Sequence, residues 1–259
     1  MLSYQHIYHA GNLADVHKHT LLAWMLDYLT RKDKPLTYIE THAGRALYDL
    51  NAPEAVKTGE AAQGIALIRP HLAPDHPYAQ VLAAQDAGRY PGSPAIAGHI
   101  LRATDTIHLA ELHPREHAAL ARAMPSANVH NQDGFATAHG LIPPTPRRGL
   151  LQIDPSYEIK GDYATLPGHI RKWHRAWNVG VIALWYPLLK NKLHQTLTKK
   201  LRQDFPDAFL HEIGFKPARD GHGMIGSGIF VLNPPFGLAE SAADLETLFD
   251  RAKVLRPLA

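Results

Sequence analysis

Residues 149–157 read Gly149-Leu150-Leu151-Gln152-Ile153-Asp154-Pro155-Ser156-Tyr157. An apolar run this short and continuous is a strand buried on both faces, as inside a parallel sheet. It ends in a carboxylate, a proline that stiffens the turn, and an aromatic side chain expected to be exposed. Leu36–Glu40, Thr106–Leu112, Asn128–Asp133, Val179–Tyr186, Phe209–Phe215 and Ser227–Leu232 have the same character. Helical spacing fills many of the gaps, over Asp15–Tyr28, Pro114–Arg122, Asp162–Trp177 and Leu193–Gln203. Strands alternating with helices predict an α/β fold around a doubly wound, seven-stranded sheet. The connection Lys216–Gly226 is too short to hold a crossover helix, so the last two strands are expected to pair antiparallel.

One spacing is irregular. The first strand ends at Glu40 and the next strand-end acid is Glu111, where a simple dinucleotide-binding unit would place it about 20 residues on. The surplus, residues 45–94, reads as a small inserted helical subdomain. Its helical stretches are Ala61–Arg69 and Tyr78–Ala87, and Pro70, Pro74, Pro77, Pro91 and Pro94 punctuate it. The chain, 1–259, is expected to be one domain carrying that insertion, with residues 1–30 as an N-terminal segment ahead of the first strand.

Open α/β sheets bind ligands beyond the carboxyl ends of their strands. Here those ends read Glu40-Thr41-His42-Ala43-Gly44, Glu111-Leu112-His113-Pro114, Asp133-Gly134-Phe135 and Asp154-Pro155-Ser156-Tyr157. Four acids in this order suit a nucleoside cofactor. The second can accept ribose hydroxyls and the third an adenine amino proton, while Gly44 lets backbone approach the ligand. A lone strand-end acid is otherwise a helix cap, so the argument rests on the series. The fourth end suits an exocyclic amine, whose lone pair is delocalised into its ring. A carboxylate and a backbone carbonyl that accept its two N–H bonds localise that pair and favour attack on a methyl group. Asp154 and the Pro155 carbonyl supply those acceptors, and Tyr157 offers a flat surface to a base. Asp-Pro-x-Tyr also occurs as an ordinary turn. Asn233-Pro234-Pro235-Phe236 is a second tetrapeptide of this form; it fits only a permuted motif order, and the order of the other strand ends favours Asp154.

Composition narrows the chemistry. There is no cysteine, which excludes disulfides, zinc thiolates and thiol nucleophiles, and fits a reducing cytoplasm. The start of the chain lacks a basic stretch followed by an apolar one, and no segment approaches about 18 continuous apolar residues, so neither a signal peptide nor a membrane span is expected. Net charge is +3 and the pI near 9, a balance that admits a nucleic-acid partner. Arg171, Lys172, His174 and Arg175 form one basic cluster, and Lys190, Lys192, His194, Lys199, Lys200 and Arg202 another. Either could contact phosphates, although a solvated helix face is the commoner reading of such a cluster alone. His6, His9, His17 and His19 invite a metal reading with Asp15. A two-residue step puts the rings of His17 and His19 on different helix faces, so no metal site is expected. Asn12, Lys18 and His19 would then line the lip of a pocket, with Asp15 starting the helix.

Met1-Leu2-Ser3-Tyr4, His9-Ala10-Gly11-Asn12, Lys18-His19-Thr20, Thr41-His42-Ala43-Gly44 and Tyr90-Pro91-Gly92-Ser93-Pro94, together with Glu111-Leu112-His113-Pro114, Asp133-Gly134-Phe135 and Ala183-Leu184-Trp185-Tyr186-Pro187, resemble the bacterial J-type 23S ribosomal RNA adenine-N6 methyltransferases. The resemblance runs from Met1 to at least Pro235. It implies a class I S-adenosylmethionine-dependent methyltransferase with a Rossmann-like sheet, acting on one adenine of 23S ribosomal RNA in the cytoplasm, with no obligate protein partner. By the family's pattern, Asp154 holds the target amine, Tyr157 stacks on the base and Tyr4 touches the RNA. His19, His42, Ser93, Glu111, Asp133, Gly134 and Asp154 line the cofactor pocket, with Lys18 beside them. The family's last strand also ends in Asn-Pro-Pro, which favours a structural part for Asn233. Two positions depart from the pattern: Ser156 replaces a proline, and Arg45-Ala46 follows Gly44 in place of a second glycine-containing step. Three other readings remain. They are a DNA adenine methyltransferase, a non-catalytic RNA-binding protein on the same fold, and a histidine-rich metallohydrolase. Lys57 and Arg69 of the insertion are further candidates for gripping RNA.

Overall fold

A computed structural model describes residues 5–159, 161–217 and 223–258. In chain order, α1 (Leu13–Thr30) leads into β1 (Thr37–Glu40). The insertion follows as β2 (Leu47–Asp49), α2 (Pro53–Thr58), α3 (Glu60–Gln63), α4 (Ile65–Ile68), α5 (Pro77–Ala83) and β3 (Arg89–Pro91). Then come α6 (Ser93–Ile100), β4 (Thr106–Ala110), α7 (Pro114–Ala123), β5 (Asn128–His130), α8 (Gly134–Leu141) and β6 (Gly149–Ile153). The chain continues with α9 (Asp162–Ala176), β7 (Val181–Leu189), α10 (His194–Asp204), β8 (Phe209–Phe215), β9 (Met224–Leu232), α11 (Leu238–Arg251) and β10 (Leu255–Arg256).

The main sheet has eight strands in the order β10-β8-β9-β7-β6-β1-β4-β5. All seven expected strands are in it, and β8 and β9 pair antiparallel. The eighth, β10, adds to the edge beside β8. It is too short to leave a pattern in the sequence. β1 pairs parallel with both β4 and β6, so the order of connection reverses between β1 and β6. That reversal opens the crevice in which doubly wound sheets bind ligands. β6 is buried along its whole length, as its apolar run requires.

Two apolar clusters cover the two faces. One joins the sheet to α1, α6 and α11 and takes in the insertion through Tyr48, Ile65, Ile68, Tyr78, Val81 and Tyr90. The other lies under α9 and α10, around Leu166, Ile170, Trp173, Leu197 and Leu201. α1 is buried on nearly every side, polar residues included, which marks it as a core helix.

The insertion departs from the expected helices. Its ends are clamped by the antiparallel ribbon β2–β3, with Tyr48 opposite Tyr90. The stretch expected as one helix over Ala61–Arg69 breaks at Gly64. There the backbone meets the N-terminal segment: Ile65 N donates to Gly11 O at 2.8 Å, and a Cβ on Gly64 would lie 2.2 Å from that oxygen.

Candidate active site

The site begins with α1. Asn12, not Asp15, caps this helix, its side-chain oxygen accepting from Asp15 N at 2.9 Å. An Asx side chain just outside a helix satisfies an otherwise unpaired N–H. Asp15 is therefore free to point inward from the first turn. One of its oxygens accepts from Gly11 N and lies by His6 Nε2, both at 2.9 Å. The other is 3.2 Å from Lys18 Nζ, one turn on. Lys18 also donates to Asp154 at 2.5 Å. The side chains of Lys18 and Asp154 are 5% and 13% exposed, so one buried ammonium joins the first helix to the end of β6. Burial works against its charge, but Asp154 and Asp15 outweigh burial and raise its pKa above the usual lysine range. Burial also pushes the Asp15 carboxyl up, but His6, Lys18 and His19 outweigh it and hold the group well below the usual range.

The strand ends converge on the same place. Glu111, after β4, accepts from Gly44 N at 2.9 Å and His113 N at 2.7 Å, and burial raises its pKa. Asp133, after β5, caps α8 through Ala136 N at 2.8 Å. The cap and the ligand-binding interpretations of this acid thus apply to one residue. Gly134 packs so closely on the β1 loop that a Cβ would meet Thr41 O at 1.8 Å. Burial holds His42 neutral, its pKa lowered to about 4 against the pull of Asp154 and Asp133. His19 is likewise lowered to about 3 by burial. Its Nδ1 lies 2.8 Å from the Tyr90 hydroxyl.

These residues line one cavity of about 460 Å³, within the usual size for a small-ligand site. It brings together Lys18, His19, His42, Ser93, Glu111, Asp133, Gly134, Asp154 and Pro155. Two residues named from the sequence are placed differently. Glu40 is fully buried beside the cavity, held by the Tyr38 and Ser93 hydroxyls. Burial lifts its pKa to about 8. Tyr157 is not the exposed aromatic that was expected. It is 9% exposed, its hydroxyl donates to Trp185 O at 2.6 Å, and its ring packs 4.7 Å from that of Tyr163. The apolar pocket between β7 and α9 is what draws it in. Tyr4 lies outside the described residues.

Asn233 is on the far side of the molecule's sheet. β9 runs antiparallel to β7, with Leu232 opposite Ile182, so Asn233 sits at the end of the sheet away from Asp154. Its amide donates to Asn178 O at 3.0 Å and Gly180 O at 2.7 Å. That geometry gives the second tetrapeptide a structural part.

Residues 33–254 match the family described as ribosomal RNA large subunit methyltransferase D, RlmJ. This chain belongs to that family. It is 37% identical over 255 residues to "Ribosomal RNA large subunit methyltransferase J" of Escherichia coli K12, covering 93% of this chain and 90% of that one. The protein of the same name from Haemophilus influenzae is 36% identical over 250 residues, covering 92% and 89%. The crystal structure of protein LPL1258 from Legionella pneumophila superposes with a TM-score of 0.85 at 36% identity, covering 93% of each chain. As a member of the family, the chain is an S-adenosylmethionine-dependent ribosomal RNA (adenine-N6) methyltransferase with a class I, Rossmann-like fold.

The residues present fit that cofactor. Gly44 is left-handed (φ 63°), and a Cβ there would strike the Tyr48 hydroxyl at 2.3 Å, so backbone rather than side chain faces the ligand. Glu111 and Asp133 each keep acceptor capacity beyond their backbone bonds, and Leu112 and Phe135 add apolar surface. The N-terminal histidines divide among separate partners: His6 with Asp15, His9 with Glu60, His17 with Ser227 and His211, His19 with Tyr90. Among the described residues no group of three or more His, Cys, Asp or Glu side chains is placed to hold a metal. Asp15 is among the cavity residues to which the sequence assigned no ligand-binding part, as are Tyr48, Glu116 and Trp185. The i, i+3 pair Asp15–Lys18 was the available signal for the first. Trp185 is mid-strand, and its signal was the family stretch Ala183–Pro187 and not a strand-end pattern.

Proposed function

We propose that the methyl group is passed to the N6 amine of a 23S ribosomal RNA adenine by direct in-line displacement, with Asp154 and Pro155 holding the amine. Bound S-adenosylmethionine supplies an electrophilic methyl group. The observation that carries this reading is that Asp154 and Pro155 share one cavity with Glu111, Asp133 and Gly134, at the reversal point of the sheet. Asp154 Oδ2 is taken by Lys18, which leaves Oδ1 to accept one amine N–H. The Pro155 carbonyl accepts the other. With the amine held by these two acceptors, positioning would supply much of the acceleration. Asp154 need not be a strong base, because the amine loses its proton readily once methylated. The ammonium holds the carboxylate in place, which suits a group that orients the amine instead of deprotonating it first.

Glu111 and Asp133 orient the cofactor's hydroxyl and amino groups, and the Gly44 and Gly134 backbones let it approach. Tyr157 supports the catalytic loop from behind by its bond to the Trp185 carbonyl. To stack on a base it would have to leave that contact. A base paired in RNA must be extruded to reach the cavity. No helix among the described residues is long and apolar enough to cross a membrane; a cytoplasmic enzyme that needs no membrane and no obligate protein partner accords with its substrate.

The test is transfer of labelled methyl to protein-free 23S RNA, with DNA as the competing substrate. Labelled N6-methyladenosine in the RNA alone is expected. Label in DNA would move the substrate assignment. The Asp154→Ala protein should lose methylation by about a hundredfold or more while still binding the cofactor in calorimetry. An active Asp154→Ala protein would reject the assignment.

A further inference from the structure

A second, smaller cavity of about 280 Å³ adjoins the active site, and Asn12 and Met224 line both. It lies by the β10-β8-β9 edge of the sheet, away from the Glu111–Asp133 end where the cofactor belongs. The partition between the two is polar and firmly built: Asn12 Nδ2 donates to Glu60 Oε2 at 3.1 Å. Leu13, Leu67, Phe215 and Val254 give the cavity an apolar floor and wall. Its remaining cations are Lys216, Lys253 and Arg256. Phe215 pairs with Leu255 and Gly214 with Arg256 across the β8–β10 ladder, which gathers the three cations at one corner. All three are exposed, and none forms a salt bridge among the described residues. By contrast, the basic cluster on α9 and α10 is partly neutralised, Arg171 and Lys200 both reaching Asp204.

We propose that this second cavity holds a nucleotide flanking the target adenine, its base on the apolar floor and its phosphates on Lys216, Lys253 and Arg256. The inference rests on the assignment of the main cavity to a ribosomal RNA adenine. A strand entering that cavity has its neighbouring nucleotide one backbone step away, and Asn12 marks where the two sites meet. An apolar surface with unpaired cations at its rim is the combination that single-stranded RNA requires.

The test compares two triple variants with the wild-type enzyme. One is Lys216→Gln, Lys253→Gln and Arg256→Gln; the other removes the same charge from α9 and α10 through Lys172→Gln, Arg175→Gln and Lys199→Gln. RNA affinity is measured over a salt series by fluorescence anisotropy with a labelled 23S fragment, and cofactor affinity by calorimetry. The groove triple should weaken RNA binding about tenfold or more at 0.1 M salt, taken as roughly physiological, and flatten the dependence on salt by about 0.7 per lost phosphate contact. Cofactor affinity should be unchanged, and the α9–α10 triple should do much less. Equal losses in both triples, or no loss in the groove triple, would overturn the proposal. Wild-type enzyme that methylates no 23S RNA would instead refute the function on which it rests.

Discussion

At the scale of single residues, the site runs on buried charge. Lys18 lies between two carboxylates, so its neutral replacement leaves Asp15 and Asp154 facing each other without a counter-ion. Lys18→Met should therefore cost several kcal/mol of stability, read as a lower urea midpoint. Asp15→Asn, added to it, should restore part of the loss. Glu40 makes a different prediction. Its folded pKa of about 8 stands above the usual 4.5 because the group is buried. The folded protein holds this proton more tightly than the unfolded chain, so the contribution is complete below about pH 4.5 and lost as pH rises towards 8. Glu40→Gln keeps the acceptor for the Tyr38 or Ser93 hydroxyl and removes that slope. Urea midpoints for the variant should stay level between pH 6.5 and 8 where those of the parent fall.

Elements explain why some of this was legible and some was not. β6 and its Asp154 end were plain, because a continuous apolar run bounded by a proline has few other interpretations. The order of strand-end acids likewise pointed to the β1–β6 crevice. α11 was legible but passed over: Leu238, Ala242, Leu245 and Phe249 recur on one face. α6 opens with Ser93-Pro94, a first-turn proline that announces a helix start but sat among the prolines of the insertion. The break at Gly64 had no local cause, since it depends on Gly11 approaching from another segment. Tyr157 was misjudged for the same reason: nothing in Asp154–Tyr157 tells that Tyr163 and Trp185 will cover its ring. Close approach also makes α8 sensitive. Its first residue, Gly134, touches the β1 loop, so Gly134→Ala must push Thr41 away from the cavity. The expected result is at least a tenfold loss of cofactor affinity by calorimetry, with a destabilisation of about 2–4 kcal/mol. An alanine variant with normal affinity would show that the loop has room to yield.

For the molecule as a whole, neutral buried histidines set the acid limit. His19 and His42 are held by burial at about 3 and 4, below the usual 6.5. Their contribution is complete above pH 6.5 and is lost as pH falls through those values. Unfolding free energy should thus decline from about pH 6.5 downward, and His42→Gln should make that decline shallower in urea titrations. The Glu40 effect has the opposite sign and overlaps it between about pH 4.5 and 6.5, and Asp15 adds a slope of the same sign at lower pH, so the histidine part is read from the difference between His42→Gln and the parent. The α1 helix carries one more consequence. His17 meets Ser227 across 210 residues, and α1 packs on β9 and α11. A ribosome adding about 5–20 residues per second needs on the order of 10–40 s to deliver those partners. Throughout that interval the first helix made, with its buried lysine and carboxylate, can pack on α5 and α6 but still lacks β9 and α11. An enzyme that modifies ribosomal RNA therefore stays inert until the ribosome producing it has almost finished the chain.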